Sequence, residues 1–389
     1  MYIAILGRQP SLGIAELERL YGDVTWFSHE TAIVNTDHVE LSRLGGSQKV
    51  GEIVAEFSGQ DWKKVSQKIV TYYTDRWASV DTKITLGISA YGFTVPSREV
   101  QRTGITLKQK LKAKSVSLRL IPNSDAVLST ATAHHNKLGL SANKVELLVV
   151  RGRGGKVMIA ESIGAQNITA YAKRDQGRPK RDAFVGMLPP KLAQIMINLA
   201  APHPVANDTV VLDPFCGTGV VLQEALLMGY SAYGTDLSEK MIDYSTVNLD
   251  WLRDRTPHIK GDVRLHHGDA MTTQWHQPIH AIACESYLGQ PFSAPPSPAK
   301  LADVRKNCNY IISSFLKNVG SQIPSGTPLC VGVPAWKDTA GSFSHLPLVS
   351  DIESLGFSRV ELETVRPEEL LYYRDDQVVA RELLVLVKK

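Results

Sequence analysis

The stretch Val210-Val-Leu-Asp-Pro-Phe-Cys-Gly-Thr-Gly-Val-Val-Leu-Gln-Glu-Ala-Leu-Leu-Met-Gly-Tyr-Ser-Ala-Tyr-Gly-Thr-Asp236 leaves few folds open. Val210 to Leu212 is a short apolar run, as in a strand buried on both faces. Asp213 ends it, and Gly217 and Gly219 allow a tight turn that a ligand can approach closely. Val220 to Met228 is apolar on most sides and predicts a buried helix, with Gly229 as its C′ residue. Ser231 to Thr235 rebuilds a strand that ends at Asp236. Strand, glycine turn, helix and strand form one unit of a parallel α/β sheet. Such sheets bind ligands beyond the carboxyl ends of their strands.

A nicotinamide dinucleotide is the obvious alternative ligand, but its fingerprint is G-x-G-x-x-G, and here an acid opens the turn. A carboxylate there repels a pyrophosphate and attracts the ammonium and sulfonium of S-adenosylmethionine. Asp236 stands where an acid grips ribose hydroxyls. Asp213-Pro-Phe-Cys-Gly-Thr-Gly219 resembles motif I of class I S-adenosylmethionine-dependent methyltransferases, in the form found in enzymes that methylate exocyclic amines.

Charge is distributed unevenly. Residues 101–200 hold 17 Lys/Arg against 5 Asp/Glu, while residues 1–100 hold 10 against 12 and residues 201–389 hold 16 against 22. A basic middle between acidic flanks predicts a polyanionic partner. No apolar run approaches a membrane span, and the N-terminus does not read as a signal peptide. The 4 cysteines lack C-x-x-C spacing, so no metal site is expected and the usage fits the cytoplasm. The adjacent His134 and His135 point apart on a helix and do not read as a ligand pair. The oligomeric state is open.

Residues 1–58 read as a small α+β domain, with strands at 2–6, 24–27 and 31–34, a helix over 11–20 capped by Ser11, and a second helix over 42–49. Residues 59–165 read as another, with helices over 62–73, 103–114 and 129–137 among strands at 83–90, 117–121, 144–150 and 156–163. Lys108, Lys110 and Lys112 ride on its middle helix, and Arg153 lies in a basic glycine turn. This pair resembles a ferredoxin-like domain followed by a THUMP domain, an arrangement found in tRNA-modifying enzymes. Residues 166–186 read as a linker whose Arg174, Arg178 and Lys180 could line an RNA path, and 187–200 as a helix stopped by Pro202 and Pro204.

The run Arg174, Arg178-Pro179, Met187-Leu-Pro-Pro-Lys191 and Asn198-Leu199, followed by Asp213-Pro-Phe-Cys-Gly-Thr-Gly219, resembles the archaeal and eukaryotic tRNA guanine-N2 methyltransferases acting at position 10. The resemblance implies a class I methyltransferase domain over 187–389 with a Rossmann-like sheet, with tRNA as partner and S-adenosylmethionine as donor. It also implies donor contacts from Asp213, Phe215, Gly217, Gly219, Asp236, Leu237, Asp269 and Ala270. Asp269 follows a strand at 263–267, so three acids fall at successive strand ends.

The family's Asp-Pro-Pro-Tyr motif, which holds and stacks on the target base, is altered here to Cys284-Glu285-Ser286-Tyr287 at the end of a strand over 280–284. One register puts Cys284 at the acidic position and another puts Glu285 there. The reading adopted has Glu285 as acceptor for the amine and Tyr287 as stacking ring. The alternative is a non-catalytic tRNA-binding protein. Downstream, helices are expected over 301–319 and 350–355 and a strand over 328–333. A closing hairpin is expected from 360–365 and 378–387, with Tyr372, Tyr373 and Arg374 on its loop side.

Overall fold

The computed structural model describes residues 1–58, 61–182, 187–201, 209–276 and 278–389. Pro202 and Pro204, expected to stop a helix, lie outside these residues. The chain forms two compact units: Met1–Pro10, Tyr21–Ser42 and Ser47–Ala170 in the first, and Ser11–Leu20, Arg43–Gly46 and Tyr171–Lys389 in the second.

The first unit is built on an eight-stranded sheet. Its strands are β1 (Tyr2–Leu6), β2 (Val24–Ser28), β3 (Thr31–Val34), β4 (Ser47–Ser58), β5 (Ile84–Tyr91), β6 (Leu118–Leu120), β7 (Lys144–Arg151) and β8 (Lys156–Ala165). They run in the order β2-β3-β1-β4-β8-β7-β5-β6. β4 pairs antiparallel with β8, so one sheet crosses the boundary at residue 58. Between Leu6 and β2 the chain forms α1 (Pro10–Tyr21), most of which belongs to the second unit. The other helices reaching into the first unit are α2 (Trp62–Arg76), α3 (Ser97–Ala113), α4 (Thr130–His135) and the start of α5 (Ile168–Gln176).

One expectation fails here. Residues 42–49 do not form a helix: Gly45 and Gly46 break it, and from Ser47 the chain enters the long strand β4. Within the segment 166–186, α5 runs from Ile168 to Gln176 before Gly177 and Pro179 end the helix.

The second unit contains a nine-stranded sheet. Its strands are β9 (Val210–Asp213), β10 (Ser231–Asp236), β11 (Val263–His267), β12 (Ala281–Glu285), β13 (Pro328–Lys337), β14 (Phe343–Ser344), β15 (Phe357–Arg359), β16 (Leu371–Tyr372) and β17 (Val379–Lys388). Its main path runs β11-β10-β9-β12-β13-β17-β15. The first five are parallel, and β17 pairs antiparallel with β13, β15 and β16. Residues 360–365, expected as half of a hairpin, form no strand, and besides β13 the β17 strand pairs with the shorter β15 and β16. α6 (Pro190–Ala200), α7 (Val220–Leu227), α8 (Glu239–Arg255) and α9 (Pro298–Gly320) complete the unit. Strand order reverses between β9 and β12, which opens a crevice beyond their carboxyl ends.

A buried acid ties α1 into this unit. Glu16 accepts hydrogen bonds from the Gly45 and Gly46 N–H groups at 2.9 and 2.8 Å and from Asn198 Nδ2 at 2.7 Å. Burial outweighs these donors and raises its carboxyl to about 7. Asp213 and Glu224, also fully buried, shift the same way. A carboxyl whose folded pKa lies above its unfolded value stabilises the fold below the unfolded value and loses that contribution as pH rises through the folded one. The stability of this unit is therefore expected to fall between about pH 4.5 and 7, with Glu16 contributing on the order of 3 kcal/mol of the change. Denaturant midpoints across this range check it. Glu16→Gln should flatten the slope, although its amide faces three donors and lowers stability at pH 5.

Candidate active site

The turn after β9 carries the donor-side residues. Asp213 is buried, and its Oδ1 accepts from the Phe215 N–H at 3.1 Å. Asp236 ends β10, where its Oδ2 accepts from the Gly217 N–H at 2.9 Å and its Oδ1 from the Ser238 N–H at 2.9 Å. Each carboxylate oxygen keeps a second acceptor site. Gly217 and Gly219 both have positive φ, 50° and 81°. A Cβ on Gly219 would press on Ser245 Oγ at 2.9 Å, whereas one on Gly217 would meet only Phe215 O at 3.9 Å. Gly219 therefore serves close packing against α8, and Gly217 faces open space.

Asp269, two residues beyond β11, bonds Met271 N–H through Oδ1 at 2.9 Å. Leu237 is 68% exposed beside Asp236, while Ala270 is buried and Phe215 packs edge-on against Phe315 at 5.1 Å. The three expected acids stand at or just past the ends of the neighbouring strands β9, β10 and β11. An open turn rimmed by carboxylates suits an elongated ligand with a cationic end and a ribose, as S-adenosylmethionine has.

On the other side of the crevice, β12 ends in Cys284 and Glu285. Cys284 is fully buried in the core with Leu212 and Ile282, and burial raises its thiol well above the usual range. A thiol buried in the core is poorly placed to accept from a base, so the geometry favours the register with Glu285 at the acidic position. Glu285 is half-buried and ion-paired with Arg381 Nε on β17. Ile282 on β12 stands opposite Leu212 on β9, so Glu285 and Asp213 end adjoining parallel strands, and burial raises the Asp213 carboxyl, with the charges of Asp236 and Glu285 adding to it. Ser286 turns inward to bond Gly332 O at 2.8 Å, and Tyr287 is 42% exposed.

A family model described as DNA methylase matches residues 25–247. A tRNA (guanine(10)-N2)-dimethyltransferase of Pyrococcus abyssi is 42% identical over 255 residues, covering 64% of this chain and 67% of that protein. The chain belongs to the tRNA guanine-N2 methyltransferase family. The family member from Methanothermobacter thermautotrophicus is 28% identical over 166 residues, 42% of this chain, and the match spans only 44% of that protein's length. Crystallised TrmN from Thermus thermophilus shares the fold, with a TM-score of 0.52 at 16% identity over 100% of this chain and 99% of that one. The mixed sheet of the second unit is thus of the class I methyltransferase kind.

The basic residues expected to face RNA divide into two groups in this family member. Lys108, Lys110, Lys112 and Arg153 are exposed on the first unit. Arg174 and Arg178 turn inward. Arg174 makes a bidentate pair with buried Glu224, at 2.6 and 3.1 Å, and Arg178 is only 3% exposed. A guanidinium already committed to an interior carboxylate has no fork left for a phosphate. Lys180 is half-buried, its ammonium 5.4 Å from the Tyr244 ring centre.

Two residues of this methyltransferase fold escaped the sequence reading. Asn248 on α8 exchanges hydrogen bonds with the Lys180 backbone at 2.9 and 3.0 Å and donates to Thr218 O at 2.9 Å, clamping the segment before α6 to the glycine turn. Arg381 is the other. Its signal was an Arg-Glu pair inside the otherwise apolar run Val378–Val387, since charges within a buried strand need partners.

Proposed function

We propose that this protein transfers a methyl group from S-adenosylmethionine to the exocyclic N2 of a guanosine in tRNA, at position 10 as in the names of its relatives. The observation that carries the reading is that Asp236, Asp213 and Glu285 end three adjoining parallel strands, with an open glycine turn after the middle one. In this reading Asp213 and Asp236 hold the ammonium and the ribose, and Asp269, Leu237, Ala270 and Phe215 hold the adenine. When bound, the donor supplies an electrophilic methyl group on sulfur.

The N2 lone pair of guanine is delocalised into its ring, so the amine must be oriented before it attacks. Glu285 accepts the N2–H hydrogen bond and fixes that orientation, and the same bond carries away the surplus proton as the new N–C bond forms and the C–S bond breaks. Tyr287, exposed at the mouth, stacks on the base. Residues 1–58 serve as a ferredoxin-like domain and 59–165 as a THUMP domain, whose exposed Lys108, Lys110, Lys112 and Arg153 hold tRNA phosphates, with 166–186 leading into the catalytic domain at 187–389.

The test is incubation with unmodified tRNA and donor, followed by mass spectrometry of the nucleosides. N2-methylguanosine or its dimethyl form is expected. Binding of both ligands without transfer to any tRNA would leave a non-catalytic tRNA-binding protein. A second expectation concerns salt. If phosphates dominate binding, log affinity falls linearly with log salt by about 0.7–0.9 per neutralised phosphate. Replacing Lys108, Lys110, Lys112 and Arg153 with Gln should therefore lower that slope by roughly 3 units, measured by fluorescence anisotropy between low and physiological salt. An unchanged slope removes these residues from the interface.

A further inference from the structure

We infer that Arg381 determines base specificity at this site by donating a hydrogen bond to O6 of the target guanine, so that Glu285 and Arg381 together read the base edge. The inference rests on the reading of Glu285 given above and goes beyond it.

Among the described residues, the Arg381 side chain makes one hydrogen bond, from Nε to Glu285 Oε1. Its side chain lies beside the ring of Tyr372, its partner in register on β16, with the guanidinium carbon 6.0 Å from the ring centre. The guanidinium is largely buried, with a side-chain exposure of 11% against 17% for Glu285. It therefore sits at the mouth rather than out on the surface. Its Nη1 and Nη2 groups bond nothing in the described residues and are not among the fully buried unpaired atoms. A guanidinium has five N–H donors in a rigid fork. Using Nε alone on Glu285 leaves the terminal donors free beside the carboxylate.

The chemistry of the target edge supplies the rest. Guanine presents N2–H, N1–H and O6 in sequence: donor, donor, acceptor. A carboxylate flanked by a guanidinium presents acceptor, acceptor, donor, the complement that cytosine provides in a base pair. Adenine reverses the pattern at position 6, where its amine would meet a second donor. A site of buried polar groups rejects an analogue that leaves them unpaired. Arg381 thus supplies what a carboxylate alone lacks, a means of distinguishing a 6-carbonyl from a 6-amine. Holding Oε1 also leaves Oε2 of Glu285 directed to the amine.

The experiment uses the full-length protein and tRNA carrying guanosine, 2-aminopurine or 2,6-diaminopurine at the target position. All three keep the 2-amine. The last two both lack N1–H and differ only at position 6, as hydrogen against amine. Single-turnover methylation by the wild type is expected to rank guanosine first, 2-aminopurine second and diaminopurine last. The last two should be separated by about 10- to 100-fold, the range of one hydrogen bond to a charged group. R381M should slow the guanosine reaction by a similar factor and bring 2-aminopurine and diaminopurine to equal rates, with donor affinity unchanged by calorimetry.

Equal wild-type rates on 2-aminopurine and diaminopurine overturn the inference without recourse to any variant. So does an R381M protein that slows all three substrates by one common factor, since that marks Arg381 as a support for Glu285 only. A wild type that methylates guanosine but shows either result leaves the proposed function standing. A wild type that methylates none of the three overturns both. If R381M loses donor binding, the wild-type ranking alone decides.

Discussion

Lys49→Met will destabilise the first unit by about 3–5 kcal/mol, because it leaves a buried carboxylate without its counter-ion. Lys49 on β4 and Glu146 on β7 are 1% and 0% exposed and lie 2.5 Å apart. Lys49 Nζ also donates to Leu128 O at 2.7 Å, and Ser89 Oγ donates to the same glutamate oxygen at 2.6 Å. The other oxygen, Oε2, is buried with no partner among the described residues, so the carboxylate has little in reserve once the lysine is gone. Replacing both residues with Met should cost less than Lys49→Met alone, because the stranded charge disappears with it. The double variant will not return to wild type, since Leu128 O and the Ser89 hydroxyl each lose a partner. With two compact units, a single global transition is a poor readout for one of them. Amide exchange of β4, β5 and β7 followed by mass spectrometry reports the first unit directly. A change below about 1 kcal/mol in Lys49→Met would mean that the glutamate is satisfied without the lysine.

This pair also shows where sequence reading stopped. Lys49 and Glu146 are 97 residues apart, and nothing near either one signals the other. Local chemistry was legible. The strand, turn and helix over Val210–Leu227 rest on apolar run length and two glycines, and the residues stand where those features put them. The 42–49 helix failed because a helical spacing was read through Gly45 and Gly46, while the alternation that makes β4 continues beyond the window. The inward placement of Arg174 and Arg178 was hidden for another reason. A cluster of cations looks the same whether it faces solvent or an interior acid such as Glu224, and only the fold makes the distinction. Arg381 was overlooked because it lies 96 residues beyond the acid it serves, on a strand read only as closing the sheet.

The altered Cys284-Glu285-Ser286-Tyr287 segment carries the largest expected effect on activity. Glu285→Ala should slow methyl transfer by about 10²–10³, the usual loss for one preorganised hydrogen bond made at the transition state. Donor and tRNA affinities should change little. Asp236 holds its own partners from the backbone, and in the proposed reading tRNA affinity comes mainly from phosphate contacts. The effect should therefore appear in the single-turnover rate and not in either dissociation constant. Glu285→Gln separates charge from shape. It keeps one acceptor oxygen, but its amide nitrogen competes for the place where Arg381 Nε now donates, so a donor would face a donor. The Gln variant should consequently fall close to Ala rather than midway between Ala and wild type. Glu285→Asp, which keeps the charge but withdraws it by one methylene, tests reach, and should retain more rate than Gln if the ion pair re-forms. Tyr287→Ala should also lose rate, since an unstacked base forgoes about 1–3 kcal/mol of aromatic contact, while Tyr287→Phe should be nearly silent. Cys284→Ala provides the control. Its thiol is fully buried, so the substitution should lower stability modestly and leave the rate per folded molecule intact. Full rate in Glu285→Ala with a strong loss in Cys284→Ala would reverse the assignment and return the acceptor to the strand interior.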